Sequence, residues 1–209
     1  TTNAAAGAAA AAGFAVSRLL LVAPDDAMTA RLASRLSRLS WPIRNEPTLD
    51  ALKLISHGFD ADATRAEWER MLGEQPGGVP LRESDRTGAD PQVLTAELEQ
   101  LYQAASFTRA DAAAHPCDHL GVELMYTAHL AANLGHAAAD HDQRASWAHR
   151  LTQFSTTHLD RCCDEILTDI SVRAESTLLA AVPGLIIGYR QALASLANGE
   201  PFTVSGRWS

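Results

Sequence analysis

Hydrophobic side chains recur at intervals of three and four positions through most of this chain of 209 residues. That spacing places them along one side of an α-helix, and we find no run that alternates as a half-buried strand does. The pattern predicts an all-α fold, a single-domain bundle of about seven to nine helices. We place this domain at residues 14–198, after a flexible alanine-rich lead-in at 1–13 and before a C-terminal tail at 199–209.

Prolines and glycines mark where the predicted helices stop, because proline cannot continue a helix and glycine favours its C-terminal end. The helices are expected at about residues 14–22, 25–40, 47–57, 62–72, 91–105, 115–135, 142–154, 158–170 and 175–197. We expect a cap or break at residues 155–157 and a kink at Pro183. Residues 73–91 form the longest segment without helical periodicity, and loops of that length are often functional.

The segment from about residue 115 to 135 is apolar around nearly its whole circumference, which predicts a buried central helix. Glu123 falls on a mainly apolar side of this helix. Because an unpaired buried carboxylate is costly, Glu123 needs a partner. The candidates are an internal arginine, for which Arg150, Arg161 and Arg173 remain open, or a cation supplied by a ligand.

Composition and charge narrow the classes of function. Alanine fills 39 of 209 positions and aromatic residues only 6%, which favours helices over sheets. The net charge is −8, which disfavours general binding of nucleic acid, since its phosphates attract surplus cations. Three cysteines, two of them adjacent, cannot form a disulfide framework, so we expect a reducing compartment. No apolar stretch is expected to approach the length of a membrane span.

Seven of the eight histidines lie between His115 and His158, and within that stretch His115, Cys117 and His119 alternate. A metal site needs three or four such ligands to converge on one point. The spacing matches neither a CxxC pair nor an HExxH helix, so we expect no metal and no cofactor. The alternative is a helical protein that binds a metal or a small ligand through residues 115–158.

Asp118 beside His119, or Cys117 beside His119, has the residue types of an acid–base pair or a thiol nucleophile. Neighbouring residues of a helix point about 100° apart, however, so adjacency in sequence does not bring their side chains together. The chain contains no GxSxG, P-loop or GxGxxG motif. We therefore expect no catalytic residues and a protein that is not an enzyme.

Three segments go beyond a general helical pattern. Residues 115–130 read His-Pro-Cys-Asp-His-Leu-Gly-Val-Glu-Leu-Met-Tyr-Thr-Ala-His-Leu, residues 80–84 read Pro-Leu-Arg-Glu-Ser, and Phe154 is followed by Thr157-His158-Leu159. Together they resemble the TorD/DmsD/NarJ family of cytoplasmic redox-enzyme maturation chaperones. In that family the corresponding segments are E-P-x-D-H leading into x-x-x-E-L-x-F-x-x-x-L, P-x-x-E-S and F-x-x-x-H-L. The resemblance is clearest over about residues 78–195.

The resemblance implies an all-helical chaperone that binds the twin-arginine signal peptide of a molybdenum-containing oxidoreductase subunit. Such a chaperone delays export of the apo-form catalytic subunit and assists cofactor insertion and assembly, and it is a monomer or a homodimer. The chain departs from the family pattern at His115, where glutamate is usual, at Cys162, where tryptophan is common, and at Leu178-Leu179, which replace an aromatic pair. These departures bear on which enzyme is the partner.

A twin-arginine peptide carries two cations beside an apolar run, so its receptor needs carboxylates bordering an apolar groove. We expect Asp118, with Glu83 or Glu123, to supply the carboxylates, and Leu120 and Tyr126 to supply apolar wall. His119 is expected either to hydrogen-bond the peptide backbone or to lock its loop. The full set of predicted peptide-binding residues is Pro116, Asp118, His119, Leu120, Glu123, Tyr126, Glu83 and Ser84.

Overall fold

The computed structural model describes residues 2–204, and within that range it contains eleven α-helices and no named strand. The helices are α1 (Thr2–Leu21), α2 (Asp26–Ala33), α3 (Arg35–Leu39), α4 (Glu46–Ser56), α5 (Ala61–Met71), α6 (Glu83–Thr87), α7 (Pro91–Ala104), α8 (Leu120–His136), α9 (His141–Phe154), α10 (Asp160–Arg173) and α11 (Thr177–Asn198). Nine of those described have eight or more residues, and α3 and α6 have five each. The all-α prediction is confirmed.

Most of the helices begin where a short polar side chain accepts a hydrogen bond from the amides of the first turn. Side chains of this kind cap six helices, at Asp25, Asn45, Asp60, Asp90, Asp140 and Ser176. Glycines in the left-handed conformation end α6 and α11, at Gly88 and Gly199. These local signals explain why the predicted and observed bounds of most helices agree closely.

The central helix is α8, as its apolar circumference predicts. Thirteen of its seventeen residues are buried. Helix α1 packs along it, while α11 packs against α4 and also contacts α1. The N-terminal end of α8 therefore lies in the core, and the loop that precedes α8 packs close to the core.

Helices α1 and α8 run antiparallel and meet through small residues spaced seven positions apart. A Cβ atom added at Gly135 would lie 2.9 Å from the Cβ of Ala6, and one at Gly13 would lie 2.7 Å from the Cβ of Ala128. At the far end, a Cβ at Gly121 would lie 2.7 Å from Cγ of Leu21. We call the five glycine and alanine residues among these, Ala6, Gly13, Gly121, Ala128 and Gly135, the α1–α8 seam. Only glycine and alanine allow the two backbones to approach this closely.

The seam overturns the prediction of a flexible lead-in at 1–13. Helix α1 begins at Thr2, and Ala6, Ala9 and Ala12 are fully buried. The physical reason is close packing, because small side chains gain their contacts from the approach of a second helix rather than from their own size. Thr1 and residues 205–209 of the predicted tail lie outside the described residues.

Three other predicted boundaries were wrong. The predicted helix at 25–40 is broken at Ser34, whose backbone is extended, and the predicted loop at 73–91 contains the short helix α6. Helix α8 begins at Leu120, so the segment from residue 115 to His119 precedes the helix instead of forming its first turn. The expected break at 155–157 is a π-helical turn, Ser155–Leu159, through which α9 continues into α10.

Two helical segments, Asn3–Leu21 and Thr177–Asn198, are long and apolar enough to cross a membrane by length and composition. The expectation that no apolar stretch approaches that length was therefore wrong. In each segment 61% of the most apolar window is buried inside the fold. Core helices show the same composition because they bury apolar side chains on several sides, so the two segments are weak evidence of a span.

Candidate functional site

The loops before α6 and α8 are joined by backbone hydrogen bonds. The amide of Glu83 donates to the carbonyl of Asp118 at 2.8 Å, and the amide of Leu120 donates to the carbonyl of Leu81, also at 2.8 Å. An isolated antiparallel β-bridge lies between these two bonds. We call the paired segments, residues 81–84 and 118–120, the loop junction. Two of the three segments that carry the family resemblance thus meet in space.

Asp118 is a fully buried carboxylate that holds the loop junction together. Its Oδ1 accepts a hydrogen bond from Nε of Arg82 at 3.0 Å, and its Oδ2 accepts one from Oγ of Ser84 at 2.5 Å. The amide of Ser84 donates to the same Oδ2 at 3.3 Å. Although burial alone would raise it, the hydrogen bonds from Ser84 and the ion pair with Arg82 lower the pKa of Asp118 below its ordinary value. Asp118 is therefore ionised at neutral pH.

His119 is the N-cap of α8, since its Nδ1 accepts a hydrogen bond from the amide of Gly121 at 3.0 Å. Burial, together with the nearby His115, lowers the pKa of His119 to about 3, so the ring is neutral. Of the two alternatives for His119, this geometry favours the one in which it locks its loop. Its Nε2 is buried and has no hydrogen-bond partner in the described part of the chain.

Glu83 is also fully buried and connects the loop junction to the π-helical turn. Its Oε2 lies 3.0 Å from Nδ1 of His158, and its Oε1 lies 3.0 Å from Nη1 of Arg161. The ring of His158 packs against that of Phe154 with centroids 5.0 Å apart. A π-helical turn inserts an extra residue into a helix and thereby changes which side chains point inward. The third resembling segment, around His158, thus reaches the other two.

Glu123 lies on α8 behind the loop junction, fully buried, and neither of its carboxylate oxygens has a hydrogen-bond partner among residues 2–204. Burial first, and then the neighbouring Glu83 and Asp118, raise the pKa of Glu123 well above its ordinary value. Burial without a hydrogen-bond partner therefore favours the protonated, neutral form of this carboxyl.

The predicted arginine partner of Glu123 was wrong. Arg150 donates to the carbonyl of Ala104 at 3.1 Å, and Arg173 donates to that of Gly77 at 2.6 Å. Arg161 is near enough to favour ionisation of Glu123, but its ion pair is with Glu83. A single guanidinium near two buried carboxyl groups leaves one of them without a counterion, and burial favours the neutral form of that carboxyl.

Tyr126 belongs to a cluster of aromatic rings. Its ring centroid lies 4.6 Å from that of Tyr102, 5.3 Å from that of Phe107 and 4.7 Å from that of Phe154. Its hydroxyl donates to the carbonyl of Leu101 at 3.1 Å. Tyr126 therefore packs in the core beside the carboxylates, and it does not line an open groove.

Of the eight predicted peptide-binding residues, only Pro116 is partly exposed, and the other seven are buried. Sequence reasoning missed two of their main partners, Arg82 and His158, although both lie inside resembling segments. Arg161 was considered only as a partner of Glu123, and the structure pairs it with Glu83. The side chains of Arg82 and Arg161 are 31% and 47% exposed. They are therefore the parts of this network that solvent reaches.

Glu74, His115 and His119 place one candidate metal-ligand atom each within 4.8 Å of one another. The Nδ1 lone pair of His119 is engaged by the amide of Gly121, so the proton of the neutral ring sits on Nε2. A metal ligand needs a free lone pair at the coordinating nitrogen. While His119 caps α8, its free ring nitrogen, Nε2, carries a proton and has no lone pair to offer a metal.

The thiol of Cys117 is buried and donates to the carbonyl of Thr95 at 3.9 Å. Burial raises the pKa of this thiol above its ordinary value. A nucleophilic cysteine needs the thiolate, which burial disfavours. The geometry around Cys117 is therefore that of a core residue.

A family model described as nitrate reductase delta subunit matches residues 59–167, which is more than half of the chain. The matched segment contains both loops of the loop junction, α8 and the π-helical turn. No curated protein sequence matches the chain.

Proposed function

Since this chain belongs to the nitrate reductase delta subunit family of molybdoenzyme maturation chaperones, we propose that it binds the twin-arginine signal peptide of a molybdenum-containing oxidoreductase subunit. By holding that peptide in the cytoplasm, it delays export while cofactor insertion and assembly take place. The role requires binding and release, without catalytic turnover.

The observation that carries the proposal is the charge balance of the buried cluster. Three carboxyl groups, those of Glu83, Asp118 and Glu123, adjoin two arginines, Arg82 and Arg161. The cluster thus has one more carboxyl than guanidinium. A cation that arrives from a client restores the balance, and an arginine does so with the planar donors that carboxylates accept in pairs.

The exposure of the two arginines suggests how a client would enter. Each of them pairs a buried carboxylate while part of its own side chain reaches solvent. A client guanidinium that replaces one of them keeps the carboxylate paired with a cation, and the displaced arginine regains full hydration. The exchange therefore costs less than opening an unpaired carboxylate to solvent.

A cavity of about 450 Å³ lies along the same π-helical turn and α11, where it offers space for the apolar part of a signal peptide. Leu151, Leu159, Ile187 and Leu193 contribute its apolar lining. Residues of this turn thus reach both the buried carboxylates and the apolar cavity. That arrangement supports a peptide with cations beside an apolar run.

Calorimetric titration of the full chain with a synthetic twin-arginine leader tests the proposal. The matched control is the same peptide with both arginines replaced by lysines, which we expect to bind about tenfold more weakly because lysine cannot pair bidentately. Raising the salt concentration should weaken both complexes. Equal affinity for the two peptides, or no binding of either, would overturn the proposal.

If a client arginine replaces an internal arginine, one substitution in the chaperone should strengthen binding instead of weakening it. Removing the internal competitor with Arg161→Gln should tighten binding of the twin-arginine peptide several-fold. Arg173→Gln removes the same charge from the same helix, α10, but away from Glu83, and serves as the control. Tightening by both variants to the same degree would point to long-range charge alone.

A further inference from the structure

Glu123 stands out in the described structure as a carboxyl group that is fully buried with both oxygens unpartnered. Natural cores rarely contain such a group, because an unsatisfied buried polar atom is destabilising. A glutamine or a leucine at the same place would avoid the repulsion from neighbouring carboxylates. A glutamate there is useful only if its charge is needed in another state of the molecule.

The charged and titratable groups around Glu123 come from four elements. They are Glu83 of α6, Asp118 of the loop junction, Arg161, Cys162 and Cys163 of α10, and Tyr102 of α7. Burial raises the pKa of Tyr102 and of both thiols, so these three groups stay neutral. Arg82 pairs with Asp118 and Arg161 with Glu83, so Glu123 is the one carboxyl of the three that has no guanidinium of its own.

We propose that Glu123 is the acceptor for an arginine of the client peptide and that it releases its proton to solvent when that arginine binds. The inference rests on the proposed function, since it needs a cationic client. The balance is simple: a neutral carboxyl and a client guanidinium become a carboxylate–guanidinium ion pair, and one proton passes to the buffer. The direction of its pKa shift, well upward, is consistent with a carboxyl that is neutral until a cation arrives.

Proton release makes binding depend on pH. While Glu123 is protonated in the free protein, each rise of one pH unit should tighten the complex by up to about tenfold, because the proton is a product of binding. The dependence levels off once pH exceeds the pKa of Glu123 in the free protein. A simple salt bridge between groups that are already ionised shows no such dependence near neutral pH.

The experiment is calorimetric titration of the full chain with the twin-arginine leader at one pH in two buffers, phosphate and Tris, which differ in their heat of ionisation. The difference in observed binding enthalpy gives the number of protons released, which we expect to approach one. Infrared difference spectra supply an independent readout, since the carbonyl band of a protonated carboxylic acid should disappear on binding.

Glu123→Gln is the decisive variant, because it keeps the size and the neutral state of the side chain. We expect it to bind the leader about tenfold more weakly, without proton release and without the pH dependence. Glu165→Gln, at an exposed position of α10, makes the same change of sequence charge and should leave proton release intact. The folded state of each variant is checked by its thermal unfolding.

The outcomes separate this inference from the proposed function. If the leader binds with preference for arginine but releases no proton, or if Glu123→Gln releases as many protons as the wild type, the inference is overturned and the proposed function stands. If no twin-arginine leader binds, the proposed function itself fails.

Discussion

Helix α8 is held by two kinds of contact that differ in their physical chemistry. Along its length, the α1–α8 seam joins it to α1 through glycine and alanine, and nothing in that seam carries charge. At its N-terminal end, the loop junction holds it through Asp118, His119 and the hydrogen bonds between two loops. The seam depends on shape alone, whereas the junction depends on charge and protonation.

The difference shows where the molecule is able to respond to a ligand. A seam of small residues has no group that titrates, and its contacts do not change with salt or pH. The junction contains ionised Asp118, neutral His119 and, behind it, neutral Glu123. The groups on which a cation or a proton can act therefore lie at one end of α8.

The largest effect is expected in the seam. Gly13→Ala should lower the free energy of unfolding by about 3 kcal/mol, because its Cβ would clash with Oη of Tyr189 and lie 2.7 Å from the Cβ of Ala128. Gly7→Ala, on the same helix with nothing within 4 Å of its added Cβ, should instead raise it by about 0.5–1 kcal/mol through helix propensity. Urea unfolding followed by circular dichroism measures both, and an equal effect of the two substitutions would contradict the seam.

A smaller effect is expected at the junction. Asp118→Ala should lower the free energy of unfolding by about 2 kcal/mol, because it leaves the buried Ser84 without its acceptor. The loss should shrink as pH falls below about 4, since the lowered pKa of Asp118 means that its stabilising charge is lost in acid.

The control for Asp118 is an exposed ion pair. Asp62→Ala breaks the contact between Asp62 and Arg65 at 3.5 Å, and we expect a change within about 0.5 kcal/mol. If Asp118→Ala were no more damaging than Asp62→Ala, the junction would not hold α8, and the contrast with the seam would disappear.

The effect that is smallest per pH unit is the pH dependence of stability that the junction contributes. The raised pKa of Glu123 means that the folded state holds a proton that the unfolded state loses, so the stability of the free wild-type protein should fall as pH rises above about 5. Glu123→Gln should remove this contribution, which is at most about 1.4 kcal/mol per pH unit. Parallel stability curves for the two proteins between pH 5 and 8, to be measured by urea unfolding, would show that Glu123 is ionised in the fold.

Sequence reasoning succeeded where local signals are strong. The helix starts at Asp60 and Asp90, the end at Gly199 and the buried circumference of α8 all follow from capping chemistry and hydrophobic periodicity. The family resemblance rested on residues 80–84, 115–130 and 154–159, and sequence reasoning left open whether they meet. The structure brings all three to one place.

Sequence reasoning failed where the structure depends on contacts between residues that are far apart in the chain. A helix made almost entirely of alanine is equally apolar on every face. Nothing in residues 4–12 therefore indicates which face packs against α8. The ion pair between Arg161 and Glu83 joins residues far apart in sequence, and periodicity carries no information about it. The predicted peptide-binding residues were expected to border a groove, but seven of the eight are buried, some by the pairing of two loops and others by the packing of α8. Whether they bind a peptide stays a prediction.

The sequence distance across the α1–α8 seam bears on how the protein is made. Leu120, the first residue of α8, lies 99 positions after Leu21, the last of α1. At a synthesis rate of about 5–20 residues per second, α1 waits roughly 5–20 s on the ribosome before its partner helix begins to emerge. An alanine-rich helix holds its shape alone better than most sequences, because alanine has the highest intrinsic helix propensity. The alanine-rich composition that lets the two helices pack closely in the folded protein therefore also favours a helical α1 before α8 has been synthesised.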